Sequence, residues 1–128
     1  MKSEAITDIG SKRKINQDSI YNSDEKVGVL PNLYIVADGM GGHKAGDHAS
    51  KMCVDVMIET IKNHGDVFTP ISVLEEAIIS ANKSIYAESK SNEEYEGMGT
   101  TVVSATLDED MLYVANVGDS RLYYIYNN

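Results

Sequence analysis

The stretch Leu33-Tyr34-Ile35-Val36-Ala37-Asp38-Gly39-Met40-Gly41-Gly42 decides how the rest of the chain is read. Its first five residues are a continuous apolar run of β type, short enough for a strand buried on both faces. The next five are too rich in glycine for regular structure. A lone carboxylate, Asp38, therefore falls at the end of a buried strand. That placement suits a hard cation: the strand fixes the carboxylate, and a glycine lets a backbone carbonyl approach as a second oxygen ligand. An ordinary strand-to-helix turn capped by Asp reads equally well. The stretch lacks the Gly-Lys-Ser/Thr ending of a phosphate loop.

Outward toward the C-terminus, Ala49, Met52, Cys53, Val56, Met57 and Ile61 recur at three- and four-residue steps. They predict an amphipathic helix from about Gly46 to His64, ended by Asn63-His64-Gly65. Ser72-Val73-Leu74-Glu75 fits a capping box and predicts a second helix with Leu74, Ala77, Ile78, Ala81 and Ile85 on its core face. A polar, acidic loop covers Ser89 to Gly97. Strands follow at Thr100–Leu107 and Met111–Val117, joined by the acidic turn Asp108-Glu109-Asp110. Gly118-Asp119 marks another turn, and Arg121–Tyr126 begins a further strand that Asn127-Asn128 would turn back.

Toward the N-terminus, Ser3–Ile9 reads as a short strand closed by Gly10, and Ser19-Ile20-Tyr21 as another. A polar loop, Ser11 to Asp18, joins them. His43 and His48 are expected at surface or helix-start positions. Strands, two helices and then a β-meander make an α+β order, unlike the strict alternation of a parallel sheet.

The 128 residues amount to one domain, and 42% hydrophobic residues suffice for a core. A formal charge of −9 repels nucleic-acid phosphates and anionic lipid, so neither is expected as a partner. Acid excess reads as solubility or as acids converging on divalent cations, and composition does not separate the two. Cys53 is the only cysteine and falls on a helical apolar face, the place of a small core residue. There is no apolar run of membrane length and no signal-peptide pattern, so a cytoplasmic location is expected.

Two further segments carry chemistry. Arg13 stands five residues before Asp18 in the first loop, and its planar donor fork matches phosphate oxygens. The alternative is a solvated basic turn, Lys12-Arg13-Lys14. In Asn116-Val117-Gly118-Asp119-Ser120-Arg121, Asp119 projects from a strand end toward the same cations, or Gly118-Asp119 is a plain hairpin turn.

Four ordered segments together resolve the ambiguity: Gly10-x-x-Arg13-x-x-Asn16-Gln17-Asp18, Val36-Ala37-Asp38-Gly39-Met40-Gly41-Gly42, Gly97-Met98-Gly99-Thr100-Thr101 and Ala115-Asn116-Val117-Gly118-Asp119-Ser120-Arg121. In this order and spacing they closely resemble the bacterial branch of the metal-dependent type-2C serine/threonine protein phosphatases, from about Ile6 to the last residue. The resemblance implies an antiparallel β-sandwich flanked by an antiparallel helix pair, with Mg²⁺ or Mn²⁺ between the sheets. It implies that Asp38 bridges two principal metals with the Gly39 carbonyl on one of them. Asp18 would act through a coordinated water, Asp119 would help to bind a third metal, and Arg13 would hold the substrate phosphate. Two such cations activate water for in-line attack on phosphorus, and no phosphoenzyme is needed.

Departures from the pattern accompany the match. Gln17 stands where many relatives have an acid; its amide is expected to reach a metal-bound water without adding charge. Met40 replaces the His that serves animal members as a candidate general acid and cannot donate a proton. The family's later acids, an Asp-Gly motif and an Asp-Asn pair, do not follow Arg121. Residues 1–128 are therefore expected to be the N-terminal half of the domain, incomplete and inactive alone. The expected partners are a phosphoprotein substrate, a Ser/Thr kinase and its targets, and further copies of the chain. The alternative is a non-catalytic half-domain or pseudophosphatase acting as a binding module. A calcium- or phosphate-binding protein without catalysis ranks last, because nothing resembles an EF-hand loop.

Overall fold

The computed structural model of the chain describes residues 1–42, 44–65 and 69–127; His43 and the final Asn128 of the expected terminal turn lie outside them. Two helices pack along one another and together cover one face of an antiparallel sheet. In chain order the strands are β1 (Asp18–Ser23), β2 (Leu33–Met40), β3 (Gly99–Thr100), β4 (Val102–Asp108) and β5 (Met111–Val117). The helices are α1 (Ala45–Lys62) and α2 (Pro70–Ser91), with a 3-10 turn at Glu93–Tyr95. The sheet runs β1-β2-β4-β5, with β3 on β2. This is the sheet and helix pair expected of one half of the sandwich.

Alternation along the central strand sets the layers. Leu33, Ile35 and Ala37 are completely buried against the helices, whereas Val36, Asp38 and Met40 are exposed on the opposite face, so the run expected to be buried on both faces is covered on one. The helix side is sealed by Ala49, Cys53, Met57 and Ile61 of α1 and by Val73, Leu74, Ala77 and Ala81 of α2. Cys53 is thus a core residue, and burial pushes its thiol up to about 11. Among the described residues, polar side chains tie the layers together. Ser19 and Ser50 share a 2.9 Å hydroxyl contact between β1 and α1. Asn32 donates to the Leu107 carbonyl and accepts from the Leu107 amide, both at 2.8 Å, which pins the start of β2 to the end of β4.

Four expectations change. First, β2 runs on through Asp38-Gly39-Met40 despite its glycine, because neighbours on both sides pair it: Asp18 opposite Asp38 on one side, Thr100 opposite Gly39 on the other. Second, α2 begins at Pro70, capped by Thr69, whose hydroxyl accepts from the Ser72 amide; Ser72 lies inside the first turn and is not the cap. Its C-terminus reaches Ser91, into the segment expected to be loop. Third, Ser3–Ile9 forms no strand. No described strand offers it a ladder, and side chains hold it instead: Ser3 N donates to Asp24 at 2.9 Å and Asn22 Nδ2 to Ser3 Oγ at 2.9 Å. Ile6 is left 91% exposed. Fourth, Arg121–Tyr126 is irregular for the same reason, with Ile125 85% exposed.

Candidate functional site

The helix-free face carries the acids. Asp18 and Asp38 lie directly opposite each other on β1 and β2. Gly39 N donates to the Gln17 carbonyl at 3.0 Å, which makes Gln17 and Gly39 the hydrogen-bonded pair and leaves Asp18 and Asp38 as the non-hydrogen-bonded one. Side chains of such a pair stand closest together in an antiparallel ladder, and like charges there repel. The Asp18 carboxyl is held above its usual range, first by desolvation and then by hydrogen bonding and charge from Asp38, while Arg13 pulls the other way.

Arg13 shares a cleft of about 160 Å³ with Asp18 and Asp38, and Asp8, Ile15 and Asn16 complete much of its wall. Among the described residues Arg13 forms no ion pair, so its guanidinium is available to an incoming anion. The structure therefore brings Arg13, Asp18 and Asp38 together.

On the other flank the register of β3 on β2 continues that of β4, which places Thr101 opposite Asp38. Thr101 N donates to the Asp38 carbonyl at 2.9 Å and Asp38 N to Thr101 Oγ1 at 3.2 Å. Thr101 Oγ1 and Ser120 Oγ lie 2.6 Å apart. The bend holding Asp119 is thus tied to the backbone of Asp38. Asp119 itself is exposed in that bend and does not line the cleft. Thr101 and Ser120 are structural partners that residue type gave no reason to single out; their sole signal was their place inside the glycine-bearing motifs.

Behind the acids, Gly39 must be glycine, and Gly46 leaves room for the Gln17 side chain. A Cβ on Gly39 would collide with the Gly46 carbonyl oxygen, and one on Gly46 would come within 2.5 Å of Gln17 Nε2. The start of α1 is thereby pressed onto the end of β2. Gln17 fills this junction: its Nε2 donates to the Gly41 carbonyl at 3.3 Å. His48 sits in the first turns of α1, as expected, and stacks on Tyr95 with ring centroids 4.0 Å apart. Met40 is exposed at the strand end, beside Gly99.

An oxygen-only pair of carboxylates, held side by side across a ladder, is the donor chemistry of a hard divalent cation. It fits part of such a site. Among the described residues no three His, Cys, Asp or Glu side chains gather closely enough to hold a metal ion.

Comparison with known proteins agrees with this geometry. The chain is 43% identical to a putative protein phosphatase 2C-type of Streptococcus pyogenes over 132 residues, covering 99% of this chain and 51% of that protein. Among solved structures it resembles the serine/threonine phosphatase Stp1 of Staphylococcus aureus, with a TM-score of 0.77, 35% identity, and 91% of this chain against 46% of that one. It also resembles the catalytic domain of the serine/threonine protein phosphatase PstP, solved in complex with two manganese ions: TM-score 0.75, 31% identity, and 89% of this chain against 46% of that one. The chain spans about half the length of the curated relatives it matches. A family model described as protein phosphatase 2C matches residues 10–127. With that match over almost its whole length, and with the acid pair at the strand end, the chain belongs to the protein phosphatase 2C family.

Proposed function

We propose that this chain supplies the Arg13–Asp18–Asp38 part of the active site of a Mg²⁺- or Mn²⁺-dependent phosphatase acting on phosphoserine and phosphothreonine in proteins. The observation that supports it most directly is the pairing of Asp18 with Asp38 at the closest cross-strand position, with Arg13 in the same cleft. Asp38 and the Gly39 carbonyl would hold the principal ions, Asp18 would act through water, and Asp119 would serve a third ion. When bound, the ions supply a lowered water pKa and neutralise phosphoryl charge.

The residues of the chain orient and balance charge. Arg13 receives the substrate phosphate, whose negative charge the acid pair would otherwise repel. Asp38 is fixed by β1 on one side and by Thr101 on the other, so its carboxylate loses little freedom on binding a cation. Met40 holds no transferable proton and so does not protonate the leaving group.

With two converging acids and half the span of its relatives, the chain alone has negligible turnover in this reading. A cytoplasmic location and a Ser/Thr kinase acting on the same phosphoproteins belong to the same proposal. The exposed outer face, with Val36, Leu112 and Val114, also favours a second reading as a module that self-associates or docks a partner. A monodisperse monomer by light scattering would count against self-association.

Calorimetric titration with Mn²⁺ tests the main reading. Binding heat in the chain that vanishes in Asp38→Ala is the expected result, alongside negligible hydrolysis of an aryl phosphate. Equal heats in both proteins would remove Asp38 from the metal site.

A further inference from the structure

We infer that Asn16 is a positioning residue that locks the Arg13 loop and the Asp18 backbone to one another, so that phosphate-binding and cation-binding groups are set by a single side chain. This rests on the reading of Arg13 as the phosphate ligand. Asn16 Nδ2 donates to Thr7 Oγ1 at 2.8 Å, and Asn16 Oδ1 accepts from Asp18 N at 3.0 Å. The first bond closes the neck of the irregular segment Asp8 to Ile15, which carries Arg13 in its second half. The second fixes the start of β1 at the acid itself. Inside the loop, Gly10 N donates to Asp8 Oδ1 at 2.7 Å, shaping the turn before Arg13.

The consequence follows from chain entropy. An irregular segment whose ends are tied samples far fewer conformations than a free one, and Arg13 has no ion pair of its own among the described residues to hold it. Next to Asn16, Gln17 binds the end of β2 through its carbonyl and its side chain. The tripeptide Asn16-Gln17-Asp18 therefore joins loop, acid and helix start. One short side chain donates to a hydroxyl and accepts from an amide at once, which an alanine does not do.

The test is the affinity of the 128-residue chain for inorganic phosphate, measured by calorimetry. Arg13→Ala should abolish binding. Asn16→Ala should weaken it about tenfold and Thr7→Val about threefold, the scale of lost hydrogen bonds. Thr7→Ser, which keeps the hydroxyl, should bind as the parent does. Asn16→Ala combined with Thr7→Val should be no weaker than Asn16→Ala alone, since both remove the same bond. Additive losses, or unchanged affinity in Asn16→Ala and Thr7→Val while Arg13→Ala abolishes binding, would overturn the clamp and leave the phosphate site standing. Unchanged affinity in Arg13→Ala would overturn the phosphate site and the clamp with it. Should Asn16→Ala fail to fold, the contrast between Thr7→Val and Thr7→Ser still decides.

Discussion

The face of the sheet that meets the helices and the face that carries the acids are built from the same strands and buried very differently. On the helix side Leu33, Ile35 and Ala37 lose all contact with solvent, and α1 and α2 close the layer with Met57, Ile61 and Leu74. On the other side Val36, between those residues in sequence, remains 45% exposed, with Leu112 and Val114 open on β5. Its only described cover comes from the irregular ends of the chain: residues 4–8 border a cleft with Ile20 and Val36, and Arg121 and Leu122 border one with Val103 and Ala105. Stability and chemistry are thus separated by one strand thickness. A finished apolar layer holds the strands rigid, and the rigid strands hold two carboxylates where unfavourable charge accumulates.

Substitutions that probe each face should sharpen the contrast. The largest effect is expected for Leu74→Ala, which opens a cavity in the finished layer and should cost about 3 kcal/mol in chemical denaturation. Val36→Ala, one layer away, should cost under about 1 kcal/mol because its side chain already meets water. Comparable losses at the two positions would erase the distinction. Next is Gly39→Ala, which drives a methyl into the Gly46 backbone; about 2 kcal/mol is expected, with loss of Mn²⁺ binding because α1 and β2 must part.

Thr69→Ala removes the hydroxyl that caps α2 and should lower stability by about 1 kcal/mol, whereas Ser72→Ala should cost less. The smallest effect has the opposite sign. Asp18→Asn relieves repulsion across the Asp18–Asp38 pair and should stabilise the metal-free chain by a few tenths of a kcal/mol at neutral pH. Because the folded-state pKa of Asp18 is raised, the native chain binds the extra proton. Stability should therefore fall as pH rises from the ordinary carboxylate value of 3.8 through the raised one. Asp18→Asn should flatten that slope, and thermal melts across the acidic range would measure it. An unchanged slope would mean that another group carries it.

Legibility from the sequence followed how local each signal was. The stripe Ala49-Cys53-Met57-Ile61 announced α1 and all four are core residues, since a helix needs only its own residues to form its hydrogen bonds. The runs at 33–37, 100–107 and 111–117 became strands because each found a neighbour, the second interrupted at Thr101. Ser3–Ile9 and Arg121–Tyr126 were also read as strands and did not. In the site, Arg13 and Asp38 were legible by type and motif, whereas the parts of Asn16, Thr101 and Ser120 were not. Common polar residues acquire their roles only from what stands opposite them.

The sequence by itself determined the helices, the apolar runs that become strands, and the acids and arginine available for chemistry. Tertiary structure alone decided that Asp18 faces Asp38 as a close pair, that Thr101 completes the flank of Asp38 while Asp119 stays outside the cleft, and that the chain ends remain unpaired. The physical reason is register. Period and residue type are written along the chain, but which residue stands opposite which is fixed only when separate strands settle into one ladder and one core.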